Sequence, residues 1–157
     1  MKIVRMTLSD RASSGVYEDR SGPEIERVWG ELHGAPVEWV AVVIPDDQAS
    51  IAAALREYCD LAGCDLVLTT GGTGPAPRDV TPEATRAVIE RELPGFGEIM
   101  RMRSYDKVPT AILSRSTAGT RGKTLIVNMP GNPRAIGECL PLVYPAILEA
   151  VRHLHGR

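Results

Sequence analysis

The chain has 157 residues, of which 43% are hydrophobic and 24% charged. These are ordinary values for a globular protein that buries a core without metals or disulfides, so we expect residues 1–157 to form one domain. A formal net charge of −2 and the lack of a basic stripe argue against nucleic acid as a partner.

The first elements are predicted from alternating and capped patterns. Residues 2–8 resemble a strand, and a polar loop is predicted from there to about residue 20. The sequence Ser21-Gly22-Pro23-Glu24 is typical of a helix start, with Ser21 as the capping residue and a helix to about residue 32.

Two more strands flank a helix. The β-branched run Val37–Ile44 predicts a second strand, and apolar residues at helical spacing predict a helix over 48–62. Residues 65–70 predict a third strand. Its consecutive apolar residues are typical of a strand that is covered on both faces.

The next helix is predicted to begin at Pro82, with Thr81 as its cap, and to end at Pro94-Gly95. A further helix is predicted over 96–108. Residues 109–116 fit no regular element.

The end of the chain combines a hairpin with a long helix. Residues 118–128 predict a hairpin that turns at 121–123, and Asn132-Pro133 marks the start of the last helix. Because Pro141 and Pro145 fall inside that helix, we expect a kink or a break there.

This alternation of strands and helices predicts an α/β fold of three layers, with helices on both faces of a mostly parallel sheet. In such sheets ligands bind beyond the carboxyl ends of the strands. Four segments follow predicted strands and should meet on one face: Ser9-Asp10, Pro45-Asp46-Asp47, Gly71–Asp79 and Asn128–Asn132.

The glycine-rich segment is the strongest candidate site. Gly71, Gly72, Thr73 and Gly74 follow a strand directly, and consecutive amides in such a loop can form an anion-binding nest. The spacing is neither that of a Walker loop nor that of a dinucleotide fingerprint. A glycine-rich turn can also be purely structural. The sequence at 78–82 favours a site, because it adds a cation, a carboxylate and a helix N-terminus.

Two carboxylates are candidate metal ligands. Asp46 and Asp79, each from a strand-end loop, could hold Mg²⁺ beside nucleotide phosphates, since Mg²⁺ commonly uses one or two carboxylates with phosphate oxygens. The alternative is that Asp46 caps a helix and that Asp79 is a charge near a helix N-terminus.

Two other segments have a plain and a functional interpretation. Ser114-Arg115-Ser116 offers two hydroxyls and a guanidinium to a ligand phosphate, or forms a surface turn. The segment Pro130-Gly131-Asn132 is a rigid strand-to-helix turn, to which the functional interpretation adds ligand contacts by Asn132 and nearby amides.

The cysteine count and the first residues point to a compartment. The three cysteines lack metal-binding or redox spacing, which is typical of reduced thiols in a cytoplasmic protein. The first residues are too few and too polar for a secretion signal, and no apolar run approaches the ~18 residues of a membrane span. We expect a cytoplasmic protein with no membrane partner.

Six segments, in this order, resemble the molybdenum cofactor biosynthesis proteins of the MoaB/Mog type, and the resemblance covers roughly residues 3–154. They are Ser9–Tyr17, Ile44–Gln48, Thr69–Gly74 with Arg78–Glu83, Pro94–Gly97, Ala111–Arg115 and Asn128–Pro133.

The resemblance implies an enzyme that transfers AMP from Mg-ATP to the terminal phosphate of molybdopterin and releases pyrophosphate. It further implies a molybdenum insertase as the downstream partner, and a homo-oligomer that is a trimer in Mog types or a hexamer in MoaB types. The catalytic and Mg²⁺-binding residues then fall on Asp46 and Asp79. The nucleotide- and pterin-binding residues fall on Ser9, Asp10, Gly71, Gly72, Thr73, Gly74, Ser114, Asn128, Pro130, Gly131 and Asn132.

Two other functions fit the same resemblance. The chain could be a non-catalytic molybdopterin carrier or scaffold. It could also process a nicotinamide nucleotide, as a deamidase family with this fold does, although that family carries a second domain that we do not expect here.

Overall fold

The computed structural model describes all 157 residues, as six strands, six α-helices and one 3-10 helix. The strands are β1 (Lys2–Leu8), β2 (Glu38–Ile44), β3 (Leu66–Thr70), β4 (Arg91–Glu92), β5 (Ala118–Arg121) and β6 (Thr124–Met129). The α-helices are α1 (Asp10–Ser13), α2 (Ser21–His33), α3 (Gln48–Asp60), α4 (Thr81–Arg86), α5 (Gly95–Tyr105) and α6 (Pro133–Leu154), and the 3-10 helix spans Pro109–Leu113.

All six strands form one sheet in the order β2-β1-β3-β6-β5-β4. The pairs β2-β1, β1-β3 and β3-β6 are parallel, whereas β5 is antiparallel to both β6 and β4. The predicted mostly parallel sheet is therefore confirmed, and the carboxyl ends of β1, β2, β3 and β6 share one edge.

Each face of the sheet carries its own hydrophobic core. One core of 18 buried residues includes Trp29, Leu66 and Leu68 and packs under α2, α5 and α6. The other core of 11 buried residues includes Val67 and Leu55 and packs under α3 and α4. Every residue of β3 is buried, as its consecutive apolar residues predicted. Because a buried Leu or Val side chain contributes roughly 1.5–3 kcal/mol, these two cores are the main stabilising term.

The chain after β1 differs from the predicted loop. Ser9 accepts a hydrogen bond from the Ala12 N–H at 3.2 Å, and this cap opens the short helix α1. Ser21 does not cap α2 but is its first residue. Asp19 takes the capping role, since its Oδ1 accepts from the Gly22 N–H at 3.0 Å.

Helix α4 is shorter than the sequence predicted. It ends at Arg86, because the chain then turns to add β4 to the sheet, where the Glu90 and Leu93 N–H groups donate to carbonyls of β5. Thr81 is not the cap of this helix, since its hydroxyl donates to the Gly71 carbonyl instead.

Helix α6 runs unbroken through Pro141 and Pro145, so of the predicted kink or break the break is wrong. The two prolines lie four residues apart on the exposed side, where water can solvate the carbonyls that lose a partner. The buried stripe on the other side holds the helix together: Ile136, Leu140, Val143, Ile147 and Val151. No helix of the chain, α6 included, has both the length and the apolar composition to cross a membrane.

Helix α5 approaches the segment before β5 so closely that only glycine fits at one position. A Cβ on Gly97 would overlap the Ser116 carbonyl oxygen and would also meet the Arg101 guanidinium. The same carbonyl accepts a hydrogen bond from Arg101 at 2.8 Å, so it cannot move away freely. This contact fixes the position of Ser114-Arg115-Ser116.

Replacement of Gly97 tests this contact. Gly97→Ala should lower the free energy of unfolding by about 1–3 kcal/mol, because an overpacked methyl forces the backbone of two elements apart. Gly30→Ala in α2 is the matched control. Its Cβ would meet no atom within 4 Å, and the gain in helix propensity should raise stability by roughly 0.5–1 kcal/mol. Urea denaturation of both variants measures the difference, and equal stabilities would contradict the assigned contact.

Candidate functional site

The four predicted strand-end loops meet at one edge of the sheet. The loops after β1 and β2 exchange hydrogen bonds: the Asp10 N–H donates to Asp46 Oδ2 at 3.1 Å, and the Asp46 N–H donates to Asp10 Oδ1 at 3.0 Å. The loops after β3 and β6 touch as well, since a Cβ built on Gly131 would stand 3.2 Å from the Gly71 Cα. The topology therefore brings all four segments together.

The turn of the glycine-rich loop depends on backbone that only glycine adopts readily. Gly71 and Gly72 have φ values of 96° and 65°, and a Cβ on them would overlap the Leu8 carbonyl and the Thr81 hydroxyl, respectively. Thr81 then holds this first half of the loop. Its hydroxyl donates to the Gly71 carbonyl at 2.8 Å, and its N–H donates to the Gly72 carbonyl at 3.1 Å.

Arg115 holds the second half of the loop. Its N–H donates to the Thr73 carbonyl at 2.8 Å, and its Nε donates to the Gly74 carbonyl at 2.9 Å. All four carbonyls of residues 71–74 are thus directed back into the protein.

The four amides of residues 71–74, by contrast, donate no hydrogen bond within the chain. Successive unpaired amides with positive-φ glycines among them form a concavity that favours an anion. This arrangement agrees with an anion-binding nest, which stays a prediction.

The guanidinium of Arg115 is hydrogen-bonded to the loop and to Glu83 of α4, so it is not free for a ligand phosphate. Besides Gly74, it donates from Nη2 to the Asp79 carbonyl at 2.8 Å and from Nη1 to Glu83. Burial acts to raise the pKa of Glu83, but the hydrogen bond from Arg115, a backbone hydrogen bond and the charges of Arg115 and Arg86 together outweigh it, so the pKa lies below its usual value. The expectation that this guanidinium binds a ligand phosphate is therefore wrong. The Ser114 hydroxyl, which donates to Ser116 Oγ at 3.1 Å, lines a cleft.

The outer part of the loop is tied to the segment after β1. Arg78 donates to both carboxylate oxygens of Asp10, at 2.9 and 3.0 Å, and this exposed hydrogen bond lowers the pKa of the Asp10 carboxyl. An exposed ion pair of this kind is screened by water and contributes little to stability. In this structure the Asp10 carboxylate is therefore engaged by Arg78 and by the Asp46 N–H, and it touches no cleft.

Asp46 carries a carboxylate oxygen that lacks a partner. Its Oδ1 is buried without a hydrogen bond, close to Gly72. Burial raises the pKa of Asp46, and the charges of Asp10 and Asp79 raise it further. A buried carboxylate oxygen without a donor is a strong acceptor for a cation.

Asp79 lies within the glycine-rich loop. Its Oδ2 accepts a hydrogen bond from the Ala76 N–H at 3.1 Å, and a Cβ on Gly74 would stand 2.8 Å from the same oxygen. It is near enough to Asp46 for its charge to act on that carboxyl. No three His, Cys, Asp or Glu side chains form a ready-made metal cluster in the structure. The candidate ligands are therefore two carboxylates, Asp46 and Asp79. Mg²⁺ commonly uses one or two protein carboxylates beside phosphate.

Two clefts share the glycine-rich loop and the turn after β6 as a common wall. The first, of about 150 Å³, is lined by Ser9, Tyr17, Arg20, Thr70, Gly71 and Gly131, among others. The second, of about 230 Å³, is lined by Thr73, Arg101, Thr110, Ser114, Pro130 and Asn132, among others. Asn132 also caps α6, since its side chain accepts from the Arg134 N–H at 2.9 Å.

Asn128 is not available to a ligand, contrary to the sequence-based expectation. Its side chain is fully buried, donates to the Thr69 and Thr85 hydroxyls at 3.0 and 2.9 Å, and accepts from the Thr117 N–H at 3.3 Å. Its side chain therefore lies inside the protein, among Thr69, Thr85 and Thr117. Its role is to join β3, α4 and the start of β5.

Sequence reasoning missed three side chains that line the clefts. Tyr17 and Arg20 lie in the loop that follows α1, and an exposed aromatic residue in a polar strand-end loop was a usable signal for the first of them. Arg101 reaches the second cleft from α5 and donates to the Ser114 and Ser116 carbonyls. No local motif distinguishes it from other helical arginines.

Similarity to known proteins agrees with this architecture. Residues 5–149 match the family described as "probable molybdopterin binding domain". The chain is 55% identical over 151 residues to a protein of Helicobacter pylori named molybdopterin adenylyltransferase, covering 96% of this chain and 86% of that protein. It is 50% identical over 153 residues to the Escherichia coli protein of the same name, covering 98% of this chain and 78% of that protein.

Solved structures give the same result. The molybdopterin biosynthesis enzyme MoaB from Thermus thermophilus has a TM-score of 0.89 at 42% identity, covering 99% of this chain and 97% of that one. The molybdopterin biosynthesis Mog protein from Mycobacterium ulcerans has a TM-score of 0.87 at 36% identity, covering 98% of each chain. The resemblance found in the sequence is therefore confirmed, and the chain belongs to the molybdopterin-binding domain family of the MoaB and Mog proteins.

Proposed function

We propose that this chain is a molybdopterin adenylyltransferase, which transfers AMP from Mg-ATP to the terminal phosphate of molybdopterin and releases pyrophosphate. The supporting observation is the loop at residues 71–74, whose carbonyls are all bonded inside the protein and whose amides are not. Relatives at 50–55% identity over nearly the whole chain carry the name of this activity. Residues 1–157 act as one domain in this proposal.

The reaction requires molybdopterin and ATP to bind side by side, and the two clefts share one wall. Thr73, Pro130 and Asn132 face the second cleft, while Gly71 and Gly131 face the first. A phosphate chain lying over this wall would contact the amides of residues 71–74. The resemblance implies a pterin phosphate beside Ser114, which lines the second cleft, so in this proposal the nucleotide occupies the first.

The residues fit a Mg²⁺ ion. The buried oxygen of Asp46 without a hydrogen-bond partner and the nearby Asp79 carboxylate would hold it. Bound there, the ion would neutralise charge that develops on the transferring phosphoryl group.

The chain itself contributes positioning. A phosphate oxygen of molybdopterin is already anionic, so it attacks the α-phosphorus of ATP without a protein base, and the bond to pyrophosphate breaks. The loop amides hold phosphate oxygens at fixed sites and require no reorganisation during transfer. The Asp10–Asp46 hydrogen bonds keep the two acidic loops in register.

The product passes to a molybdenum insertase in this proposal. The reaction takes place in the cytoplasm, a compartment that suits the three free cysteines.

We also propose that the chain forms a homo-oligomer, a trimer as the Mog resemblance implies, with the MoaB-type hexamer as the alternative. Six of the eleven large hydrophobic residues that are exposed lie on α5 and the segment after it: Ile99, Met102, Tyr105, Val108, Ile112 and Leu113. Met102, Tyr105 and Ile112 line one concavity. Concentrated exposed apolar surface marks a protein contact more often than scattered residues do.

Asp79→Asn should retain molybdopterin binding and slow adenylylation by about 10²-fold or more, on the order of 3 kcal/mol of lost transition-state stabilisation. Asp46→Asn should behave alike, because both carboxylates neutralise the same ion. The assay is pyrophosphate release from Mg-ATP that depends on added molybdopterin, with pterin binding measured separately.

Asp47→Asn is the control for this experiment. Asp47 caps α3 through the Ser50 N–H at 2.9 Å, and Asn caps equally well, so turnover should stay unchanged. Near-wild-type turnover in Asp79→Asn would refute the catalytic assignment. A wild-type protein that binds molybdopterin but releases no pyrophosphate would be a carrier.

Met102→Glu should dissociate the oligomer, because it buries a charge in the apolar contact. Light scattering should give about three chain masses for the wild-type protein and the single-chain mass of 17.0 kDa for the variant. Leu61→Glu is the matched control, since Leu61 is exposed at the end of α3, on the opposite face of the sheet from α5. A wild-type monomer would contradict the oligomer, and an unchanged Met102→Glu mass would contradict this surface.

A further inference from the structure

Arg115 makes four hydrogen bonds to one stretch of chain, residues 73–83. Its N–H holds the Thr73 carbonyl, and its guanidinium holds the carbonyls of Gly74 and Asp79 and the carboxylate of Glu83. The carbonyls of Gly74 and Asp79 stand at the two ends of the excursion 75–78. The Arg115 guanidinium therefore joins the two ends of the segment 75–78.

We propose that Arg115 is the positioning residue that sets the glycine-rich loop and Asp79 for transfer and links them to the second cleft. The proposal deepens the proposed function and rests on it. Arg115 directly follows Ser114, which lines the second cleft, while its guanidinium fixes the loop that both clefts share. A shift of either segment is transmitted to the other through one side chain.

The geometry requires arginine. Three acceptors in three directions are met by Nε, Nη1 and Nη2, and a lysine ammonium on a flexible stem cannot match this fixed fork. Without the guanidinium, the Gly74 and Asp79 carbonyls lose their donors and the excursion is anchored only by its own hydrogen bonds and by Arg78 at its tip.

A second arginine, far from the clefts, also donates three hydrogen bonds from its guanidinium. Arg121 donates from Nε and Nη2 to Asp60 at 2.9 and 2.7 Å, and from Nη1 to the Val88 carbonyl at 2.9 Å. Its side chain is 24% exposed and that of Arg115 is 36% exposed. Arg121→Met is therefore the matched control for Arg115→Met.

The experiment compares the two methionine variants with the wild-type protein. Both should lose similar stability in urea, but only Arg115→Met should lower kcat, by about 10-fold or more, with a smaller change in either KM. Arg115→Lys should not restore kcat. An unchanged kcat in Arg115→Met would overturn the proposal. A rise in the KM for molybdopterin alone would also overturn it, because that result indicates a direct contact with the phosphate.

A double variant shows whether Arg115 acts through Asp79. If it does, adding Arg115→Met to the Asp79→Asn variant should lower kcat by less than about a further threefold. The reason is that the effects of two substitutions on kcat do not add when the residues act as one unit. Losses that multiply would show an independent role and would overturn the proposal.

Hydrogen exchange provides a test that needs no turnover. The amides of Ala76, Asp79 and Thr81 are hydrogen-bonded within the loop and should exchange faster in Arg115→Met but not in Arg121→Met. Unchanged exchange in Arg115→Met would overturn the proposal. A wild-type protein without pyrophosphate release would instead refute the proposed function, and the exchange result would still decide whether Arg115 holds the loop.

Discussion

The direction of four peptide groups determines what this molecule can bind. Residues 71–74 could present carbonyls or amides to the clefts, and the choice is made by Thr81 and Arg115, which take every carbonyl of the segment as an acceptor. A planar trans peptide directs the carbonyl of one residue opposite to the N–H of the next, so the inward carbonyls of Gly71, Gly72 and Thr73 turn the amides of Gly72, Thr73 and Gly74 away from the donors, whereas Pro75 has no N–H. The positive-φ glycines permit this turn, but the donors behind the loop fix it, and an anion site follows from that arrangement.

A buried polar network joins the two elements that flank the loop, β3 and α4. Asn128 joins two threonine hydroxyls and one backbone N–H across three elements, and all of these groups are buried. In an interior of low polarity, such a network is stable only when its members are satisfied, because an unpaired buried amide costs about 1–3 kcal/mol. The loop can therefore be short and rich in glycine while it rests on a rigid base.

The meeting of the four loops was predictable, because parallel strands place their carboxyl ends at one edge of the sheet. The roles of individual side chains were not. Asn128, Thr81 and Arg115 carry groups that suit a ligand, and each is instead bonded within the chain. Which acceptor a side chain reaches depends on elements distant in sequence: α4 for Asn128, and the loop after β3 for Arg115. Residue type and spacing do not contain that information.

The charges around the nest restrict the ligand further. Asp46 and Asp79 stand beside amides that favour an anion, and burial already raises the pKa of Asp46. Arg78, the nearest cation, is taken by Asp10, and Arg115 is taken by the loop and Glu83. At the loop a bare polyphosphate would therefore meet like charges, because the guanidinium groups of Arg78 and Arg115 are already bonded within the chain. A polyphosphate that carries its own divalent cation meets both requirements at once, because the amides donate to its oxygens and the carboxylates bind its metal. In the proposed function, the acidic residues would thus favour a metal-bound nucleotide over the free anion.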